Sequence, residues 1–160
     1  MVEVVRAGPD DWQRVRALRL RALRDAPDAF WATADEEEGL SPAQWRERLA
    51  AGAMFVAVSD GRLVGLAVGG PHWREPADAG LSSLWVAPEL RGSAAAAALV
   101  AAVAAWARGA GYRRLRLEVA DDNHRAVRFY ERLGFTSTGW RGTMPPPREH
   151  IVEHERVLEL

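Results

Sequence analysis

The sequence predicts an α/β fold of the α+β kind, one mixed sheet with helices on its faces. Three observations predict it. Two strand-like runs joined by Asp60-Gly61 read as a hairpin, the mark of antiparallel pairing. From Leu81 onward, period-two and period-3.6 patterns alternate, so strands there are connected through helices. The chain of 160 residues shows no repeat and no linker, so a single domain over 1–160 can bury one core.

Val2 to Val5 is a short strand. Asp10 or Asp11 caps a first helix that runs to about Arg24, with Trp12, Val15, Leu18 and Leu23 on its apolar side. Its Arg-rich side reads as a solvated face. Asp25 to Leu40 reads as irregular, with Pro27, Phe30, Trp31 and the acidic run Asp35 to Glu38. Ser41-Pro42 opens a second helix that contains Trp45 and Leu49 and ends near Gly52. Phe55–Ser59 and Leu63–Gly69 form the hairpin, Pro71 to Gly80 a loop, and Leu81–Val86 the next strand. Ala94 to Arg108 is a helix with the apolar face Leu99, Val100, Val103, Trp106 and Ala107. Arg114–Val119 alternates cleanly. Within Asn123–Phe135, Ala126, Phe129, Tyr130 and Leu133 fall at i, i+3, i+4 and i+7, one buried helix face, and Gly134 ends it. Thr136–Trp140 and Ile151–Leu158 are the last strands, and Pro145-Pro146-Pro147 admits no regular structure between them.

Composition narrows the function. The net charge is −1, so no global field draws the chain to nucleic acid or membrane. There is no cysteine, which excludes disulfides, thiol nucleophiles and thiolate metal sites. No apolar run reaches the ~18 residues of a membrane helix, and no apolar signal segment follows Met1, so a cytoplasmic location is expected. All 21 Lys+Arg residues are Arg, and Asn123 is the only Asn. A GC-rich genome explains that bias and draws attention to the one Asn that persists.

Two stretches carry chemistry. Leu84 to Ala96 runs strand, turn, helix. A helix start offers free N–H groups and a positive dipole end, which suits a pyrophosphate. Gly92, Ser93 and the following alanines are small where a backbone must approach a ligand, and Arg91 adds charge. Neither a dinucleotide fingerprint nor a P-loop is present. The second stretch is Asn123–Phe135, with one amide at the helix mouth and one phenol near its end.

In this order the two stretches resemble the GNAT family of acyl-CoA-dependent N-acetyltransferases. The family signature Q/R-x-x-G-x-G/A reads Arg91-Gly92-Ser93-Ala94-Ala95-Ala96 here, and N-x-x-A-x-x-F/L-Y-x-x-x-G-F is matched from Asn123 to Phe135. The resemblance implies a mostly antiparallel sheet of six or seven strands, with a splayed central pair and about four helices. It implies acetyl-CoA as cosubstrate and a primary amine as acceptor, attacked directly without a covalent enzyme intermediate. By the same resemblance, main-chain groups of Leu84, Trp85 and Val86 pair with the pantetheine arm. Arg91, Gly92, Ser93, Ala94, Ala95, Ala96 and Ala97 hold the pyrophosphate. Asn123 pairs with the arm, and Tyr130 protonates the leaving thiolate. Ala94 departs from the usual glycine: a right-handed backbone there would tolerate its methyl, whereas a methyl aimed at the phosphates would weaken binding.

The base that deprotonates the amine is open among Glu37, Glu38, Glu118, His72 and a water chain, with Glu118 as the named candidate. Glu37 and Glu38 are expected to attract a cationic acceptor, and Trp31, Trp73 and Trp140 to wall its pocket. The four histidines do not form a metal set, so no metal is expected. A homodimer is compatible with the family. The rival reading is a catalytically degenerate module of the same fold that binds or senses acyl-CoA.

Overall fold

A computed structural model describes residues 1–160. The strands are β1 (Val2–Arg6), β2 (Ala53–Ser59), β3 (Arg62–Pro71), β4 (Ala79–Val86), β5 (Arg114–Ala120), β6 (Thr136–Thr143) and β7 (Val152–Glu159). The helices are α1 (Trp12–Asp25), α2 (Ala34–Glu38), α3 (Pro42–Ala51), α4 (Ala95–Gly109) and α5 (His124–Arg132). The strands make one sheet in the order β1-β2-β3-β4-β5-β7-β6. Every neighbouring pair is antiparallel except β4 with β5, which is parallel.

The local signals act as the residues dictate. Asp60 and Gly61 both take positive φ, 49° and 75°, which closes a tight hairpin between β2 and β3. Ser41 caps α3 with Pro42 behind it, and Gln44 reaches back to the Ser41 N–H at 2.8 Å, a full capping box. Gly134 takes φ 97° as the chain leaves α5. Three expectations fail: Asp11 precedes α1 without a side-chain cap bond, Arg19 on the Arg-rich side of α1 is buried, and the acidic run is not irregular. Thr33 accepts the Glu36 N–H at 3.2 Å and starts α2, and its acidic first turn suits the helix dipole. At five residues α2 is too short to show an apolar period, which is why the pattern missed it.

Helices α1 and α4 both pack on β3 with little contact between them, which puts them on opposite faces of the sheet. Helix α4 sits close because Gly69 lets it: a Cβ there would lie 2.8 Å from the Trp106 ring. Leu66, Leu99, Val103, Leu115, Leu117 and Phe135 fill the interior. The core is continuous from α1 to α5.

Candidate active site

The sheet parts at its parallel pair. Strands β4 and β5 register only at Ala79↔Leu115 and Gly80↔Arg116, although both run on for several residues. A bulge explains the divergence. Between Leu66↔Trp85 and Val68↔Ser82, β4 carries one residue more than β3, and Ser83 takes φ 59°. Such an extra residue bends its strand. Beyond it a cleft of about 1400 Å³ opens between Leu81–Val86 on one side and Leu117–Ala120 on the other.

One end of the cleft is made of main chain and small side chains. Gly92 takes φ 85°, a backbone that L side chains adopt at a penalty, and this turns the chain into α4. Gly92, Ala96 and Ala97 line the cleft, and their N–H groups have no backbone acceptor. The Ser93 N–H is already given to Leu90 O at 3.2 Å, and the Ala95 N–H to Ser93 Oγ at 3.2 Å. Ala94 has φ −77° and ψ 3°, and neither it nor the buried Ala95 lines the cleft. The backbone of Ala94 is thus right-handed, a conformation alanine adopts freely. Arg91 pairs with Asp25 at 2.6 Å, and the Trp85 indole donates to the same carboxylate at 2.9 Å. Those two donors hold the Asp25 carboxyl below its ordinary value. Sequence reasoning missed Asp25, because nothing near it in the chain marks its partners.

Helix α5 flanks the cleft. Asn123 Oδ1 accepts the Ala126 N–H at 3.2 Å and caps the helix, which leaves the amide NH₂ to donate outward. Tyr130 is buried edge-on between Phe129 and Phe135, at centroid distances of 5.2 and 5.5 Å, and still lines the cleft. Burial alone pushes its phenol far above the ordinary 10.0, so it stays protonated at any working pH.

The other end is made of side chains from distant segments. Glu118 on β5 pairs with Glu155 on β7, and Ala120 with Glu153, so Glu118, Glu153 and Glu155 share one face. Glu155 is fully buried and held by Arg74, Arg116 at 2.7 Å and Thr138 at 2.9 Å. Burial works to raise its carboxyl, but those donors prevail and hold it low. Glu118 instead meets neutral donors: Trp73 Nε1 at 2.7 Å and His72 Nε2 at 2.9 Å. His72 Nδ1 accepts the N–H groups of Arg74 and Glu75, which assigns the ring proton to Nε2. Glu153 accepts from Trp31 Nε1 at 3.1 Å. Burial pushes the Glu153 carboxyl up; the Trp31 N–H offsets part of this and the charge of Glu118 adds to it.

The expected acceptor residues divide. Trp31 and Trp73 come together with Trp140 in an edge-to-face row, at 5.4 and 5.6 Å; none of the three lines the cleft itself, but Trp31 and Trp73 each hold a carboxylate that does. Glu37 and Glu38 do not join them. Glu37 is buried, bonded to Arg19 at 2.8 Å and Arg48 at 2.8 Å. Burial works against its ionisation, and the two guanidinia outweigh that and hold it below the ordinary value. Glu38 pairs with Arg24 at 3.3 Å on the surface, and neither residue lines the cleft. The acidic run is thus a structural tie between α1, α2 and α3. Glu153 went unnoticed in the sequence, although its alternation with Glu155 put both on one face of the last strand. Ligand atoms of His72, Glu118 and Glu155 lie within 4.8 Å of one another, but Glu155 is already met by two guanidinia.

The mixed sheet thus splits at its one parallel pair, and the start of α4 lies at the split. The chain belongs to the acetyltransferase (GNAT) family, whose model matches residues 12–135. An uncharacterised N-acetyltransferase of Mycobacterium tuberculosis is 38% identical over 108 residues, which cover 68% of this chain and 67% of that protein. A GNAT-family acetyltransferase of Streptococcus pneumoniae superposes with a TM-score of 0.81 at 18% identity, covering 100% of this chain and 99% of that one. A chain from Salmonella typhimurium, solved with its cofactor acetyl-CoA, gives 0.76 at 18% identity, covering 99% and 94%. No helix is long and apolar enough to cross a membrane.

Proposed function

We propose that the protein transfers an acetyl group from acetyl-CoA to a primary amine by direct attack. The observation that carries this reading is the split parallel pair, with main-chain donors at one end and carboxylates at the other. The residues fit the cosubstrate. The N–H groups of Gly92, Ala96 and Ala97 suit a pyrophosphate, which explains why small residues line that end. The part of β4 from Leu84 to Val86 that β5 abandons suits an extended arm, and the Asn123 amide can donate to it. Acetyl-CoA supplies an activated thioester.

The chain's own groups then do three things. Tyr130, always protonated, hydrogen-bonds the sulfur as negative charge grows there and gives it a proton. Glu118 and Glu153 draw the acceptor's ammonium and relieve it of its proton. Apolar residues of β4, β5 and α5 line part of the cleft beside the thioester. Thiol release from acetyl-CoA, followed with a broad panel of amines, tests the reading. Release that depends on an amine supports it. Tight acetyl-CoA binding without release under any acceptor would replace it with the sensing module.

A further inference from the structure

We infer that the acceptor is a cationic amine with no anionic group beside its nitrogen, such as an aliphatic diamine or an amino amide, seated on the tryptophan rim and deprotonated by Glu153. The inference rests on the acetyl-transfer reading of the same cleft and names the class of its second substrate.

The charge balance of the acceptor end carries it. Four carboxylates gather there: Asp78, Glu118, Glu153 and Glu155. Arg116 spans Asp78 at 2.7 Å and Glu155 at 2.7 Å, and Arg74 grips Glu155 at 2.7 Å. Those two cations are spent on Asp78, Glu155 and, through the other Arg74 nitrogen at 2.9 Å, the exposed Glu75. Glu118 and Glu153 are left with indole and imidazole N–H donors only. Arg148, the cation whose charge acts on Glu153, spends its guanidinium on the carbonyls of Pro27, Phe30 and Trp31. It thereby ties the loop before β7 to the segment carrying Trp31. Two uncompensated carboxylates next to one another attract a cation and repel an anion. An amino acid would bring its own carboxylate into the field of both; the cleft's unpaired guanidinia, Arg125 and Arg132, come from α5 and bond neither carboxylate.

The two carboxylates are not equivalent. Both oxygens of Glu118 accept a hydrogen bond. Glu153 is 8% exposed, lines the cleft and has a protein donor on Oε1 alone, so Oε2 is free for a proton. Glu118 thus acts as a fixed anion that holds the ammonium, and Glu153 as the proton acceptor. The charged groups facing Glu153 are Glu118 from β5 and Arg148 from the loop, with the neutralised Glu155 two residues along its own strand. Above them, Trp31 and Trp73 are 42% and 54% exposed, a rare contiguous aromatic surface on this chain. Their faces suit the aliphatic body of an amine, with cation–π attraction for its charge.

The step balances. The ammonium gives one proton to Glu153, and the freed nitrogen pair forms a C–N bond to the acetyl carbon. The C–S bond breaks, the sulfur takes the phenolic proton of Tyr130, and the second nitrogen proton returns to that phenolate through solvent. Glu153 releases its proton to water. The net products are the acetamide, free thiol and one proton.

Matched acceptors test this. Initial thiol release is compared for an amino acid, its amide and 1,4-diaminobutane, and acetyl-CoA binding is measured by calorimetry on the same samples. The amide and the diamine should exceed the free amino acid in kcat/KM by about 100-fold. Glu118→Gln should raise the amine KM with kcat little changed. Glu153→Gln should lower kcat about 100-fold, with acetyl-CoA affinity kept, which shows that it folds. Equal or better use of the free amino acid overturns the inference and leaves the acetyl-transfer reading standing. Failure to bind acetyl-CoA overturns both.

Discussion

The two ends of the cleft are built from different materials. The end beside α4 uses backbone N–H groups, a glycine with φ 85° and alanines, all from one continuous stretch. The end beside β7 uses charged and aromatic side chains from the segment before α2, the β3–β4 loop, β5, β6 and β7. A backbone site needs only small residues and a fixed turn, so it tolerates many neighbours. A side-chain site depends on each partner. The first suits a ligand that never changes, and the second one that differs between enzymes of the same fold. Tyr130, on α5, lines the same cleft.

The largest effect should come at that residue. Tyr130→Phe keeps the ring packed between Phe129 and Phe135 and removes only the hydroxyl. Single-turnover acetyl transfer should slow by about 100-fold or more, with acetyl-CoA affinity unchanged. An unchanged rate would remove the proton-donor role and leave a packing residue.

Next comes a residue that the sequence assigned to the wrong end. Glu37→Gln should destabilise the chain by about 3 kcal/mol in urea unfolding, because it leaves the buried Arg19 without its counter-ion. The amine KM should not move. A raised KM at unchanged stability would return Glu37 to the acceptor end.

That misassignment shows what the sequence can carry. The hairpin, the succession of strands along the chain, α4, α5 and the turn before α4 were all legible, because each rests on residues adjacent in the chain; the order of the strands within the sheet was not. So was the pairing of Asn123 with Tyr130 on one helix. The acceptor end was half legible. Trp31 and Trp73 were singled out, but the carboxylates they hold lie far along the chain, and no local period links residue 31 to residue 153. Acidic residues look alike in a sequence. Glu37 buries itself against two arginines, whereas Glu153 keeps an oxygen free, and only the packing of α2 and β7 decides which is which. The bulge at Ser83 gave no sign, since serine is an ordinary residue that here takes an uncommon φ of 59°.

At the backbone end, Gly92→Ala would force a methyl into a left-handed conformation, at about 1–2 kcal/mol. If the turn relaxes to avoid it, acetyl-CoA binding should weaken by about tenfold, read by calorimetry. Unchanged binding would mean that the turn is not the phosphate cradle.

Glu153 offers a smaller effect with a definite sign. Its folded carboxyl lies above the ordinary value of 4.5, so the folded chain holds this proton more tightly than the unfolded chain. Its contribution is fully present below 4.5 and is lost as pH rises through the folded value. Glu153→Gln escapes that loss. The variant should be the more stable chain at neutral pH, with the advantage shrinking as pH falls towards 4.5, as measured by thermal unfolding across pH. Greater stability together with slower transfer would mark a group kept for chemistry at some expense to the fold. A variant less stable at every pH would make Glu153 a structural residue.

The smallest effect should come from Ala94→Gly, two positions from Gly92 and opposite in outcome. Ala94 sits at the helix N-cap with φ −77°, which alanine adopts freely, and its methyl lies outside the cleft. Glycine is the better cap but the more flexible unfolded residue, so the two changes partly cancel to a few tenths of a kcal/mol. Acetyl-CoA affinity should stay within about twofold, which is about 0.4 kcal/mol. A tightening of tenfold would place the methyl against the ligand and make the backbone end imperfect. An unchanged affinity beside a weakened Gly92→Ala would show that this end depends on one backbone conformation, not on glycine throughout.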